Sequence, residues 1–405
     1  ITYEAIVLNV NGQGADTPGD NQSGTLLNNL ARFEWNNGAD QNTANVSATE
    51  ITVIEPSLTI DIDVSDNPTT GFGDTLSNVD ANDRIYYRVQ INSATGLPTA
   101  FDATLAGNLP AQLDPTSLQV ESVSGGGLNS ADFQFTGNVL EFSDANGEDI
   151  AGGTSIEVIV SGVVLETVEP DQNFNADAEI QWTSLDGEPG QRSTHTTQST
   201  ERTGADGGPD SNNAILDNYE ATENTAAVTI RSVSVEKTIV STSEAHTTGT
   251  DVAVGEIVRY RLLVRIPEGT LTDVALRDQL PPGLQFLNNS AKVALVSNSG
   301  TIASDEAGLN GASVVGDDTF VPTFDFPAGL ITFNGNDPIF NLGTITNETD
   351  NDADPEFLIV EFDALVLNSD GTNSTTVNLN ETFDSALNVS AGESASWTRA
   401  GNNTT

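Results

Sequence analysis

Short segments in which apolar and polar residues alternate recur along the whole chain. Clear examples are residues 59–64, 84–91, 156–160 and 257–264, each rich in β-branched or aromatic side chains. Such alternation turns one face of a strand toward a core and the other toward water, which is typical of antiparallel sandwiches. Clusters of Gly, Asn, Asp and Pro separate the segments and indicate turns. The pattern predicts an all-β chain without a long amphipathic helix, and residues 24–35 are the nearest approach to one.

The sequence also repeats itself. Residues 1–9 match residues 360–368 and, more loosely, residues 158–166, while residues 42–46 match residues 224–228. One tryptophan follows each copy of the first match: Trp35, Trp182 and Trp397. We interpret these tryptophans as residues that pack in a core or between sheets rather than as ligand contacts. Matches at such long spacing indicate an array of similar units.

Two further matches indicate that a new repeat unit begins inside the chain. Residues 87–89 match residues 260–262, and residues 108–113 match residues 279–284. We therefore predict immunoglobulin-like antiparallel sandwiches in a linear array, divided into three units. These are residues 1–56, the C-terminal part of a β-sandwich repeat; residues 57–233, a β-sandwich repeat; and residues 234–405, a β-sandwich repeat that lacks its last strand.

This division leaves an incomplete sandwich at each end of the chain. An open sandwich exposes an unpaired strand edge and a strip of core, which soluble proteins avoid. Two explanations are open: the chain is a stretch of a longer polypeptide, or neighbouring copies complete each other by donating strands. Because the sequence begins at Ile1 and contains no Met, we interpret it as a processed protein or a piece of a longer one.

Residues 274–286, preceded by residues 255–260 and 235–239, resemble the tandem conserved-repeat domain of unknown function found in large bacterial and archaeal surface proteins. Residues 201–207, followed by residues 218–219, are similar to sequence that recurs in long proteins of that kind. The resemblance implies immunoglobulin-like sandwiches strung in a line and displayed outside the cell as stalks, adhesins or fibres. It implies no enzymatic activity.

The charge of the chain limits the kinds of partner that it can bind. It contains 59 Asp plus Glu against 13 Lys plus Arg, a formal net charge of −46, and its only lysines are Lys237 and Lys292. Such a chain lacks the basic face that binds nucleic acid or an anionic membrane. It has no Cys, which excludes disulfide scaffolds, zinc ribbons and thiolate nucleophiles. No apolar run approaches the roughly 18 residues of a membrane span, so membrane insertion is not expected.

Acidic loops are the main candidate chemistry. Calcium takes about six to eight oxygen ligands, many from loops in which carboxylates alternate. No loop fits the helix-loop-helix calcium motif, and the alternative interpretation is a set of solvated turns on an acidic protein. The candidate ligands are Asp350, Asp352 and Asp354; Asp144, Asn146 and Asp149; Asp16 and Asp20; and Asp206 and Asp210. We predict no catalytic residue and no organic cofactor.

Lys237 has two interpretations. In some Gram-positive surface domains of related architecture, a first-strand Lys forms an isopeptide bond with a last-strand Asn, helped by a buried acid. Asn388 and Asp278 are available for those two roles. The sequence match assigns Ile60 to the equivalent position of the preceding unit, so the bond would not belong to every repeat. The alternative is a charged residue that discourages pairing at a strand edge.

These observations predict a non-enzymatic structural component of an extracellular filament, sheath or surface layer. In this interpretation, the chain self-associates, calcium stabilises the sandwiches, and the acidic surface keeps fibres hydrated. The alternative is the stalk of a large cell-surface adhesin, whose surface ligand is bound through another region. An extracellular enzyme acting on polysaccharides is a third, less favoured class.

Overall fold

The computed structural model describes most of the chain. The described residues are Ala5, Val7, 23–36, 41–187, 202–204, 219–247, 250–348, 355–368, 398–399 and 403–404. Contacts divide the chain into two compact units. The first comprises Ile1–Val79, Asp83–Leu165 and Gln172–Ile230, and the second comprises Asp80–Asn82, Glu166–Asp171 and Arg231–Thr405. The unit boundaries predicted from the sequence repeats stay predictions.

Strands β1 to β15 belong to the first unit. They are β1 (Leu26–Leu27), β2 (Leu30–Asn36), β3 (Gln41–Ser47), β4 (Ile51–Thr52), β5 (Leu58–Ser65), β6 (Thr75–Val79), β7 (Arg84–Ser93), β8 (Ala100–Asn108), β9 (Gln119–Gly125), β10 (Phe133–Thr136), β11 (Val139–Phe142), β12 (Glu148–Ile150), β13 (Ser155–Val163), β14 (Asn173–Thr183) and β15 (Glu220–Ile230). A single turn of 3-10 helix, Ser130–Asp132, precedes β10.

Two sheets form the body of the first unit. One has the strand order β10-β11-β8-β14-β15-β6, with β12 also paired to β8, and the other has the order β5-β7-β13-β9. All pairs are antiparallel except β6 with β15. Alternate residues of β5, β7 and β13 face the core, where Ile62, Tyr87, Val89 and Val158 are completely buried. Burial of each such apolar side chain stabilises the fold by roughly 1.5–3 kcal/mol.

Residues 24–36 and 41–53 pair with each other before β5, and we name them the hairpin. Its base is the β1–β4 ladder, and its upper part is the β2–β3 ladder. Bonds from Gly24 N to Val53 O and from Ala48 N to Asn29 O, each 2.9 Å long, continue the pairing beyond and between these ladders. Just after the hairpin, Glu55 accepts a hydrogen bond from the Tyr219 hydroxyl and forms an ion pair with Arg202.

Strands β16 to β28 belong to the second unit. They are β16 (Ser234–Thr242), β17 (Ile257–Ile266), β18 (Gly269–Arg277), β19 (Leu284–Phe286), β20 (Lys292–Ser297), β21 (Ala303–Ser304), β22 (Ser313–Val315), β23 (Phe324–Asp325), β24 (Ile331–Asn334), β25 (Asp337–Asn347), β26 (Glu356–Val366), β27 (Thr398–Arg399) and β28 (Asn403–Thr404). Single 3-10 turns occupy Ala307–Leu309 and Ala328–Leu330.

The second unit also contains two main sheets. One has the order β16-β17-β26-β20-β22, with β19 paired to β26 and β23 to β20, and the other has the order β18-β25-β21, with β24 paired to β25. Its core holds a cluster of aromatic rings, in which Phe340 lies 5.2 Å from Phe326 and 5.7 Å from Phe362 between centroids. The all-β antiparallel fold predicted from alternation is confirmed. None of the helical turns in the described ranges is long and apolar enough to span a membrane.

The central strands of the two units pair in the same register. Val158 of β13 lies opposite Val89 of β7, and Val360 of β26 lies opposite Leu262 of β17. Residues 87–89 and 260–262 match in sequence, as do residues 158–166 and 360–368. The two independent sequence matches therefore meet at the same position of the two ladders.

Candidate functional site

Three carboxylates from separate segments of the first unit meet at one place. Asp102 belongs to β8, Asp149 to β12, and Asp186 to the segment after β14, and one oxygen of each lies within 4.8 Å of the others. Within the described ranges, this is the only group of three or more acids, histidines or cysteines close enough to share a metal ion. We name Asp102, Asp149 and Asp186 the acidic triad.

Local backbone geometry brings the triad together. Asp102 has a left-handed backbone, with φ of 49°, and its amide donates to Asp149 Oδ1 at 3.3 Å. Its own Oδ2 accepts from the Thr183 hydroxyl at 3.2 Å and from Gly187 N at 3.1 Å. Gly147 is required nearby because a Cβ there would lie 2.5 Å from the Asp102 carbonyl carbon. These contacts fix β12 and the segment after β14 against β8.

The electrostatics of this loop favour a cation. Burial raises the pKa of the Glu148 carboxyl, and repulsion from Asp132, Asp144 and Asp149 raises it further. Asp149 and Asp186 are exposed, so a hydrated cation can reach them. Each carboxylate can supply one or two oxygens and water can supply the rest, which suits calcium better than a softer metal.

The structure separates the residues predicted in this loop. Asp149 belongs to the triad, whereas Asp144 Oδ1 accepts from Asn146 N at 2.9 Å and so closes its own turn. Asp144 and Asn146 are outside the triad. The other two acids of the triad come from segments distant from this loop, and the ligand set Asp144, Asn146 and Asp149 stays a prediction. The other predicted ligands, Asp350, Asp352, Asp354, Asp16, Asp20, Asp206 and Asp210, lie outside the described residues.

Sequence reasoning missed Asp102 and Asp186. Asp102 lies 47 residues before Asp149, so spacing within a loop could not connect them. A weak signal was available in the repeat: Asp102 and Asp273 both stand six residues before the matched segments that begin at 108 and 279. Asp273 is also left-handed, with φ of 53°. Asp186 carried no comparable signal.

Lys237 forms a close ion pair. Its Nζ lies 2.7 Å and 2.8 Å from the two oxygens of Asp278, and 4.4 Å from the centre of the Tyr260 ring. Asp278 is buried, and Lys237 is partly exposed. Burial and the charge of Asp278 raise the pKa of the Tyr260 hydroxyl. Asn388 lies outside the described residues, so the isopeptide bond stays a prediction.

The ladder register changes the residue that corresponds to Lys237. Lys237 lies opposite Leu262, whereas Ile62 lies opposite Val89, the residue that matches Leu262 in sequence. The equivalent residue in the first unit is therefore Ile62, not Ile60. The difference is two residues, which keeps the side chain on the same face of the strand.

The second unit contains a further group of buried acids that the sequence did not indicate. Glu268 and Glu356 are buried beside a small pocket. Asn347 Nδ2 donates to Glu356 Oε2 at 3.3 Å and to the carbonyl oxygens of Ile266 and Pro267. Arg231 pairs with the buried Asp80 at the same pocket. An amide donor therefore contacts Glu356, and an ion pair lies at the same pocket.

The tryptophans differ in their surroundings. Trp182 is buried and stacks on Tyr219, with ring centroids 5.8 Å apart. Trp35 stacks on Phe33 at 5.5 Å but is 43% exposed. The predicted core role therefore fits Trp182, whereas the described residues form no core around Trp35. Trp397 lies outside the described residues.

Comparisons with known proteins identify solved structures that resemble this chain but no family that matches it. No protein-family profile and no curated protein sequence matches the chain. The C-terminal domain of the Streptococcus pyogenes antigen I/II-family protein AspA is 12% identical, with a TM-score of 0.28, and the match covers 78% of this chain and 91% of that one. A variant of the major pilin BcpA of Bacillus cereus is 10% identical, with a TM-score of 0.30 and coverage of 78% and 63%.

The full-length major pilin SpaD from Corynebacterium diphtheriae also matches. It is 10% identical, with a TM-score of 0.27, and the match covers 71% of this chain and 49% of that one. At these identities and TM-scores, the matches carry no argument about function.

Proposed function

We propose that the chain is a non-enzymatic structural subunit or segment of an extracellular filament, sheath or surface layer. The observation that carries the proposal is the paired architecture of the chain. Two β-sandwich units place matched sequence at the same ladder positions, as Val158 and Val360 illustrate. Repeated sandwiches with packed cores suit a mechanical role, because the same fold can recur many times along one chain.

The charge of the chain supports an extracellular setting. A net charge of −46 repels itself in low salt, whereas saline or calcium-rich water screens it within about 10 Å. A chain without Cys also needs no particular redox compartment. The same acidic surface would keep neighbouring fibres hydrated and apart.

Calcium enters the proposal through the acidic triad. A cation held by Asp102, Asp149 and Asp186 would join β8, β12 and the segment after β14 and relieve their mutual repulsion. A ligand that binds only the folded state at about 100 times its Kd stabilises that state by about 2.7 kcal/mol. We therefore expect calcium to raise the melting temperature of the first unit.

Thermal melting in calcium and in chelator tests this role. We expect calcium to raise the melting temperature of the wild type, and Asp149→Asn to lose most of the increase. Asp144→Asn is the matched control, since it removes the same charge from the same loop but lies outside the triad. An equal increase in the wild type and Asp149→Asn, or an equal increase in sodium chloride of the same ionic strength, would show charge screening instead.

The alternative proposal is the stalk of a large cell-surface adhesin. The resemblance of residues 274–286 to surface-protein repeats favours it as much as it favours a filament. Electron microscopy of the pure chain in high calcium separates the two. Fibres support the filament, whereas monodisperse monomers contradict it and leave the stalk. Turnover on a panel of glycans would contradict both.

A further inference from the structure

Strands β5 and β15 connect the sandwich of the first unit to the rest of the chain. The chain enters the sandwich through β5, after the hairpin, and leaves it through β15, before β16. Tension applied along the chain would therefore pull β5 at its first residue and β15 at its last. The pairing of these strands with their neighbours decides how the unit resists such tension.

The start of β5 is fastened to the start of β15. Glu55, three residues before β5, forms an ion pair with the buried Arg202 and accepts a hydrogen bond from the Tyr219 hydroxyl at 3.2 Å. Tyr219 immediately precedes β15. The segments 201–207 and 218–219, which resemble sequence in long surface proteins, thus supply both partners of Glu55.

The end of β5 lies beside a later part of β15. Val64 of β5 exchanges two backbone hydrogen bonds with Gly73, at 2.9 Å and 3.2 Å. The carbonyl oxygen of the next residue, Asp74, accepts a hydrogen bond of 2.8 Å from the Ala227 amide of β15. Because β5 begins beside the start of β15 and ends near its residue 227, the two strands run in the same direction.

The entry and the exit of this sandwich consequently lie at opposite ends of β15. At about 3.3 Å per residue, the 11 residues of β15 span about 33 Å. Tension along the chain would draw β5 toward one end and β15 toward the other, along the direction of both strands. The strands would therefore slide past their neighbours rather than peel away from them.

Strand β6 places a parallel ladder across this sliding motion. It follows β5 in the chain and pairs in parallel with β15, with Thr75 opposite Ala227 and Ser77 opposite Thr229. The two bonds between Val64 and Gly73 close the turn that joins β5 to β6, so a pull on β5 reaches β6. Parallel strands that are pulled from opposite ends stretch all the bonds between them together, whereas strands pulled from the same end open one bond at a time.

Buried side chains protect this ladder from water. Val79 of β6 and Val228 and Ile230 of β15 are almost completely buried. A backbone group that loses its partner beneath these side chains does not find water at once, and a buried backbone group without a partner is costly. We therefore expect the ladder to fail as a whole and not by gradual replacement of its bonds.

We propose that β5, β6 and β15 form a mechanical clamp that resists tension along the chain. The inference rests on the proposed structural function, because a clamp serves a chain that is under tension. The rate of forced unfolding depends on the barrier to unfolding and not on equilibrium stability alone. The resistance of the first unit should therefore depend on the direction of the pull.

Single-molecule force measurements on the full chain along two axes test the clamp. Because the chain has no Cys, two introduced cysteines define the points where force is applied. The pair Ser57→Cys and Ser232→Cys pulls β5 and β15 from opposite ends, whereas the pair Ser57→Cys and Glu220→Cys pulls them from the same end. All three residues are exposed, so the handles should preserve the fold. We expect a several-fold higher unfolding force along the first axis.

A proline in β6 tests the ladder itself. The Ala227 amide bonds to the Asp74 carbonyl, and in a parallel ladder the residue two places on donates the next bond, so the Leu76 amide faces β15. Leu76→Pro removes this donor. Ser77→Pro is the matched control, because its amide points away from β15 at the edge of the described sheet. We expect Leu76→Pro to lower the unfolding force along the first axis only, and Ser77→Pro to leave both forces unchanged.

Equal unfolding forces along the two axes would overturn the clamp, and this comparison needs no substitution inside a paired strand. A Leu76→Pro variant that weakens both axes to the same extent would overturn it too, since that result reports a general loss of stability. Failure of the proposed function looks different. Monodisperse monomers in high calcium contradict the filament and glycan turnover contradicts the structural role, whichever way the force measurements turn out.

Discussion

The strands β5 and β16 begin equivalent sandwiches and have opposite environments. Ile62 of β5 is completely buried, whereas Lys237, at the same ladder position of β16, is partly exposed and pairs with Asp278. The difference follows from what covers them. Strands β14 and β15 complete the sheet over the β5 side of the first unit, and the described part of the second unit has no counterpart. A core position is thus defined by the covering sheet as much as by the strand itself.

The two described tryptophans provide the largest test of this comparison. We expect Trp182→Ala to destabilise the first unit by about 3–5 kcal/mol, because it removes a buried ring. We expect Trp35→Ala to change the stability of the dilute, monomeric chain by no more than about 0.5 kcal/mol, because Trp35 is exposed. Urea unfolding of both variants measures the difference. Similar losses in the two variants would show that the hairpin packs against its own chain.

The Lys237–Asp278 pair provides an intermediate effect. Lys237→Met leaves the buried Asp278 carboxylate without its ammonium partner. A buried acceptor left without its partner costs about 1–3 kcal/mol, and the partial exposure of Lys237 keeps the loss within that range. Adding Asp278→Asn should recover much of the loss. A double variant as unstable as the sum of the single variants would show that the two residues act separately.

The intact mass of the wild type must be measured before the stabilities of the Lys237 and Asp278 variants are interpreted. An unshifted mass means that Lys237 is a free amine and that the stabilities of these variants measure an ion pair. A mass lower by about one ammonia would instead support the predicted isopeptide bond to Asn388. In that case, the covalent link, and not the sheet that covers the strand, would distinguish β16 from β5.

The smallest effect concerns pH and the loop that enters β17. Hydrogen bonds from the Thr247 hydroxyl and the Ala253 amide lower the pKa of the Glu256 carboxyl. A lowered folded-state pKa contributes stability that is present above the unfolded value of 4.5 and is lost as pH falls through the folded value. We therefore expect the melting temperature of the second unit to fall in acid.

Glu256→Gln should reduce that acid-dependent fall and lower the melting temperature slightly at neutral pH. Melting curves at pH 7 and below pH 4 for both proteins provide the measurement. Asp317→Asn is a parallel test in the same unit: hydrogen bonds from Thr319 lower the pKa of its carboxyl, so this substitution should also reduce the acid-dependent fall. An unchanged acid response in Glu256→Gln would assign the effect to other carboxylates.

Much of the fold could be predicted from the sequence, but little of the candidate cation site could. Alternation in residues 84–91 and 257–264 located β7 and β17, because the two faces of a strand are chemically distinct. Only part of the acidic triad could be predicted from the sequence, since Asp149 belongs to an acidic loop but Asp102 and Asp186 do not. Spacing along the chain carries no information about residues that a sheet brings together from distant strands.

The sequence by itself determined that this chain forms sheets, that its surface is strongly acidic, and that segments such as 158–166 and 360–368 are related. These properties are local or additive, so they can be read one residue at a time. Only the tertiary structure decided that Lys237 corresponds to Ile62, that Asp102 joins Asp149, and that Trp35 is exposed where Trp182 is buried. Those outcomes depend on ladder register and on which strands cover which, and both are set by pairing between distant parts of the chain.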